Sequence, residues 1–144
     1  YKKTASLANF LINEGCYEVS LGDTVGFGTP LETQKLIHEV SNKINYSKIA
    51  MHLHDTYGQA LANIYASVQM GVSSFDTSVG GLGGCPYARG ASGNVATEDV
   101  LYMFNGMGIN SGINLKKVLA ASKFIYKILN RKIVSKTACA MISK

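Results

Sequence analysis

Two histidines one residue apart, His52 and His54, and a glycine-rich run from Gly80 to Asn94 that carries Cys85 hold most of the chemistry this sequence can offer. Lys48 to His54 alternates with period two, which predicts a strand with Ile49, Met51 and Leu53 on one face and Ala50, His52 and His54 on the other. Imidazoles at i and i+2 on one strand face can hold a divalent cation together, with Asn and Asp side chains supplying oxygen and positions left for substrate. A strand histidine pair alone is more often structural than metal-binding. The strand-end position, Asp55 immediately after, and the glycine loop of the next strand shift the balance toward a metal. That loop, GGLGGCPYARGASGN, sets six glycines and one cysteine in fifteen residues. Glycine allows positive φ and close approach of a ligand to the main chain, while Pro86 biases Cys85 toward an extended conformation that holds its sulfur in a defined place. A functional loop is therefore favoured over a flexible linker. Asp23 adds a carboxylate, although Gly22-Asp23 also reads as an ordinary turn, and His38 is expected on a solvent-facing side of a helix.

These residues need elements to position them. Thr4 to Glu14 has helical spacing of Leu7, Phe10 and Leu11 and stops at Gly15, and Tyr17 to Leu21 reads as a short strand running into a Gly22–Gly26 turn. Thr29, Pro30 and Glu32 give an N-cap, a proline at the first helical position and a capping-box carboxylate, followed by Leu36, Ile37, Val40 and Ile44. After the histidine strand come a helix from Tyr57 to Met70 and a strand from Val72 to Ser78. A helix capped by Thr97, with Glu98 and Asp99 in its positive first turn, and one capped by Asn114 and reaching about Asn130 follow, then a polar tail. Strand and helix alternate at intervals of about 30 residues, the rhythm of a parallel α/β sheet or barrel. In a (β/α)8 barrel the strand C-termini converge on one mouth, which would gather Asp23, His52, His54, Asp55, Cys85 and Asn94. An open doubly wound sheet also binds ligands there, but no GxGxxG opens a helix after the first strand. Three strands cannot close a barrel of eight.

Composition bounds the rest. The 144 residues, 47% hydrophobic and 16% charged, suffice for one core and argue against disorder. No apolar run is long enough to span a membrane. Cys16, Cys85 and Cys139 show neither a disulfide framework nor a zinc spacing, which favours a reducing compartment. The formal charge of +5 collects after Asp99, where Lys116, Lys117, Lys123, Lys127, Arg131, Lys132, Lys136 and Lys144 meet no acidic residue. On a helix, Lys116, Lys123 and Lys127 fall opposite Val118, Ser122, Ile125 and Leu129, so they form a solvated face rather than a nucleic-acid groove. The start at Tyr1 suggests a piece of a longer protein.

The motifs together resemble the C-terminal portion of the 3-hydroxy-3-methylglutaryl-CoA lyases. The likeness runs through Gly15-Cys16-Tyr17-Glu18, Ser20-Leu21-Gly22-Asp23-Thr24, the stretch from His52 to Asn63, Gly81 to Ala88, Gly90 to Asn94 and Ala96 to Asp99. The HxHD signature is shared with related synthases and aldolases, whereas the cysteine-bearing glycine loop marks the lyases. The resemblance implies an α/β fold that is the C-terminal part of a TIM (β/α)8 barrel, with residues 1–144 supplying strands six to eight and the C-terminal helices. It implies His52, His54 and Asn94 as ligands of Mg²⁺ or Mn²⁺, Cys85 as catalytic loop cysteine, and Asp23 as acid/base aspartate with His52 as a catalytic partner. A fourth ligand, an aspartate, and a catalytic arginine would lie upstream of Tyr1, leaving this chain catalytically incomplete. The implied reaction is metal-dependent cleavage of 3-hydroxy-3-methylglutaryl-CoA to acetyl-CoA and acetoacetate, a step of ketogenesis and leucine catabolism. A homodimer of the full-length protein, no nucleic acid or membrane partner, and the mitochondrial matrix, with cytosol or peroxisome as alternatives, complete the implied picture. A metal-barrel synthase or aldolase and a non-catalytic fragment are the competing readings.

Overall fold

The computed structural model describes residues 1–84, 90 and 92–142; Cys85 lies outside the described residues. Three strands, β1 (Val19–Asp23), β2 (Ile49–Leu53) and β3 (Ser74–Asp76), form one parallel sheet in the order β1-β2-β3. Between and around them run α1 (Lys2–Asn13), α2 (Pro30–Ser41), α3 (Ala60–Gln69), α4 (Thr97–Gly106), α5 (Leu115–Leu129) and α6 (Lys136–Ile142). Period-two alternation divides the sheet. Leu21, Ile49, Met51 and Leu53 are buried in one apolar core with Ala5 and Ala8 of α1, Ile37 and Val40 of α2, Ala60 and Ile64 of α3, and Val100 and Phe104 of α4. Phe75 of β3 packs edge-on against Phe104 at 5.8 Å.

Local chemistry explains the clearest boundaries. The Thr29 backbone N–H donates to Glu32 at 3.1 Å, and Pro30 opens α2. The Asn114 side chain accepts from the Lys117 backbone N–H at 3.1 Å, and Asn130 closes α5 in the left-handed region at φ 49°. Other expectations shift. Gly22 and Asp23 are the last two residues of β1 rather than a turn, because they pair in register with His52 and Leu53. The third helix begins at Ala60, where the backbone N–H is capped by Asp55 Oδ1 at 3.0 Å, and not at Tyr57.

Ala96, not Thr97, holds the cap position of α4. The Thr97 hydroxyl is instead 2.8 Å from that of Thr77, and its N–H donates to Ser78 O. The buried stripe of α5 is Leu119, Ser122 and Tyr126; Leu129 is exposed, and so are the lysines of this helix. The expected polar tail contains α6, docked because Asp99 Oδ1 accepts from Ser135 Oγ at 2.9 Å and from the Thr137 N–H at 2.8 Å, with Ala138 fully buried. Among the described residues no helix is long and apolar enough to cross a membrane.

Candidate metal centre

The site grows from the C-terminal end of β2. Beyond Leu53 the chain pairs with the segment that closes the glycine loop: Val95 N–H donates to Leu53 O, Asp55 N–H donates to Gly93 O, and His54 bridges Asn94 in antiparallel sense. Backbone pairing therefore brings His54 and Asn94 together although 40 positions separate them. His52, two residues earlier, shares the face of His54, and their Nε2 atoms are 3.3 Å apart. Two ligands placed cis on an octahedral Mg²⁺ at about 2.1 Å stand about 3.0 Å apart, so the convergence suits one shared cation.

The remaining atoms of these side chains fit the same use. His52 Nδ1 lies 3.3 Å from Asp76 Oδ2, while its Nε2 faces His54. His54 is buried, and its Nδ1 has no hydrogen-bond partner among the described residues. The Asn94 amide nitrogen donates to Leu82 O at 3.0 Å, which assigns Oδ1, the atom a hard cation prefers, to the other end of the amide. Two imidazoles and an amide oxygen form a donor set suited to a divalent metal. Among the described residues no group of three or more His, Cys, Asp or Glu side chains converges.

Asp23 is not part of this convergence. It alternates with Leu21 onto the face opposite His52. Its Oδ1 accepts from the Gly26 and Phe27 N–H groups at 3.0 and 3.1 Å, and its Oδ2 accepts from Gly28 N–H at 2.8 Å. Asn63 secures the same loop from α3 by donating to Gly28 O at 2.8 Å. The carboxylate expected as an acid or base is engaged as a loop anchor. Asp55, expected as a nearby oxygen donor, is used as the cap of α3. Exposed His38 lies on α2, as expected.

Sequence reasoning missed two residues that shape this site. Asp76 ends β3 in register with His52, a relation that only the sheet reveals. Glu98, expected merely to complement the helix dipole, is fully buried and accepts Gly80 N–H with both oxygens at 3.0 and 2.8 Å, and the Ser122 hydroxyl with Oε1. Tyr126 O–H donates to Gly80 O at 2.8 Å, so both backbone groups of Gly80 are held where the glycine loop begins. Gly80 sits at φ 63°, and a Cβ there would collide with the Tyr126 ring.

Gly83 is at φ 128°, and a Cβ there would overlap the Asn94 amide nitrogen. Gly83→Ala is accordingly expected to displace the Asn94 side chain and weaken Mn²⁺ binding by the full-length protein about tenfold or more, read by isothermal calorimetry. Unchanged affinity would show that Asn94 tolerates the displacement.

The HMGL-like family model matches residues 1–125. The chain belongs to the HMGL-like family. This HMGL-like chain is 56% identical over 138 residues to the mouse protein named hydroxymethylglutaryl-CoA lyase, mitochondrial, covering 96% of this chain and 42% of the mouse protein. It is 52% identical over 139 residues to the human protein named 3-hydroxy-3-methylglutaryl-CoA lyase, cytoplasmic, covering 96% and 38%. The crystal structure of hydroxymethylglutaryl-CoA lyase from Pseudomonas aeruginosa superposes with a TM-score of 0.96 at 49% identity, covering 99% of this chain and 47% of that one. The chain thus spans less than half the length of each of these relatives. Its parallel strands and flanking helices are part of an HMGL-like TIM barrel, as expected.

Proposed function

We propose that the full-length protein is a divalent-metal-dependent carbon–carbon lyase that cleaves 3-hydroxy-3-methylglutaryl-CoA to acetyl-CoA and acetoacetate, the reaction type of ketogenesis and leucine catabolism. The observation that carries this reading is the approach of His52 Nε2 and His54 Nε2 to 3.3 Å beside Asn94, in a chain of the HMGL-like family. In this reading residues 1–144 form one partial barrel domain with strands six to eight, and His52, His54 and Asn94 are metal ligands. The upstream part of the barrel supplies an aspartate ligand and the catalytic arginine.

Cleavage asks for loss of the proton of a tertiary hydroxyl, rupture of the bond to the thioester α-carbon, and protonation of the resulting enolate. A bound Mg²⁺ or Mn²⁺ supplies Lewis acidity that lowers the pKa of the hydroxyl. His52, at the C-terminal end of β2, and His54, just beyond it and bridged to Asn94, would hold that centre. Cys85 is the proton donor to the enolate, carried by a loop whose entry Glu98 and Tyr126 hold at Gly80 and whose glycines suit closure over a substrate. Asp23, with His52 as partner, is the acceptor of the hydroxyl proton in this reading, and its oxygens also accept three backbone bonds from residues 26–28.

The homodimer and the mitochondrial matrix are proposed on the likeness to the mitochondrial lyases, and fluorescence imaging of the tagged full-length protein tests the compartment. The decisive assay is acetoacetate release from 3-hydroxy-3-methylglutaryl-CoA by the full-length protein with Mg²⁺ or Mn²⁺. Release is expected to require metal and to fall about 10²–10³-fold in Cys85→Ser. A folded, metal-loaded protein that releases none would move the assignment to the related synthases and aldolases.

A further inference from the structure

We infer that Asp76, supported by Ser20, is a positioning residue that fixes the tautomer of His52 and thereby makes its Nε2 a ready metal donor. The inference rests on the metal-centre reading above. Ser20, His52 and Asp76 come from three strands and share one face of the sheet. Gly22, His52 and Asp76 stand side by side in the register, so β3 alone presents a side chain next to the His52 ring at that level. Asp76 Oδ2 is 3.3 Å from His52 Nδ1 and also accepts from Ser20 Oγ at 2.8 Å.

The Ser20–Asp76 bond spans from β1 to β3 across β2. Ala50, the β2 residue in register with both Ser20 and Ser74, presents only a methyl group there. The carboxylate is held by the Ser20 hydroxyl on one side and stands beside the His52 imidazole on the other. Standing 3.3 Å from Nδ1, the carboxylate favours the tautomer with its proton on that nitrogen, which turns the lone pair of the opposite nitrogen toward His54 Nε2. His54 has no such support: its Nδ1 is buried without a partner among the described residues. The two ligands therefore differ before any metal arrives. His52 is preset as an Nε2 donor, whereas His54 can carry its proton on Nε2 and donate to His52 until a cation displaces it. A carboxylate behind a ligating imidazole also raises its basicity, and losing such a partner commonly weakens metal binding about 10–100-fold.

The test uses the full-length protein with Mn²⁺ alone as the probe, followed by electron paramagnetic resonance, and ¹⁵N chemical shifts of the His52 ring in the metal-free protein. Asp76→Ala is expected to weaken Mn²⁺ binding about 10–100-fold and to move the ring from pure Nδ1–H to a mixture of tautomers. Ser20→Ala should give a smaller effect in the same direction. Asp76→Asn, which keeps size and hydrogen bonding, guards against a folding defect: its amide can donate as well as accept, so the tautomer mixture should appear with the circular dichroism spectrum unchanged.

Wild-type affinity and a wild-type Nδ1–H signature in Asp76→Ala or Asp76→Asn would overturn the inference. Its failure is distinct from failure of the lyase reading. A protein that binds Mn²⁺ but does not cleave 3-hydroxy-3-methylglutaryl-CoA refutes the latter while the tautomer and affinity still judge Asp76.

Discussion

His54→Ala in the full-length protein is expected to abolish stoichiometric Mn²⁺ binding and to lower the rate of 3-hydroxy-3-methylglutaryl-CoA cleavage by about 10³–10⁴-fold, the consequence of losing several kcal/mol of metal-supplied stabilisation. The size follows from where the ring sits. His54 is 7% exposed, bridged by backbone to Asn94, and 3.3 Å from the other imidazole nitrogen. Removing it leaves His52, the Asn94 amide and the proposed upstream aspartate, a set one fixed imidazole short of what holds the cation against water. His52→Ala should be nearly as severe, and the double variant little worse than either single one, since ligands of one ion act as a unit. Metal titration by electron paramagnetic resonance and acetoacetate release measure the two effects separately. Full Mn²⁺ affinity in His54→Ala would remove His54 from the ligand set.

Glu98→Ala is expected to have the largest effect on stability, about 3–5 kcal/mol, because it leaves the Gly80 N–H and the Ser122 hydroxyl buried without their acceptor and opens a cavity. Such a loss is a large share of the roughly 5–15 kcal/mol that holds a typical domain folded. Glu98→Gln should cost less, since one oxygen remains, but its amide must set a donor against the Gly80 N–H. The urea midpoint of the full-length protein reads both. A midpoint unmoved by Glu98→Ala would mean that Gly80 is held by Tyr126 alone.

The same network carries a pH dependence. Burial first, and the neighbouring Glu98 carboxylate second, push the Tyr126 hydroxyl above its ordinary value of 10.0. A raised folded pKa favours the folded state fully below the unfolded pKa, and this contribution is lost as pH rises through the folded value. Alkaline destabilisation should therefore begin above about pH 10 and be reduced in Tyr126→Phe, which loses the bond to Gly80 O but has no proton to release.

How far the chain explains itself differs from element to element. Thr29-Pro30 with Glu32, and Asn114 with Asn130, are local signals whose partners lie within a few residues, and the structure uses them as read. Alternation along Ile49–Leu53 likewise determined that His52 and His54 share a face, because side-chain direction in a strand depends on parity alone. Where α3 starts, and that Thr97 is no cap, depended on Asp55 and Thr77, which compete for the same backbone and hydroxyl groups once the chain is folded.

The sequence by itself determined the βα order, the histidine pair and the glycine loop, since these rest on spacing within one segment. Only the tertiary structure decided that a backbone bridge is what joins Asn94 to His54, that Asp76 stands behind His52, that Glu98 is buried under Gly80 and that Asp23 accepts bonds from its own loop. Each of these depends on the register between strands or on helix-to-loop packing between segments far apart in the chain. A charged residue carries the same local signal whether water or a buried N–H receives it, so only the fold distinguishes the two.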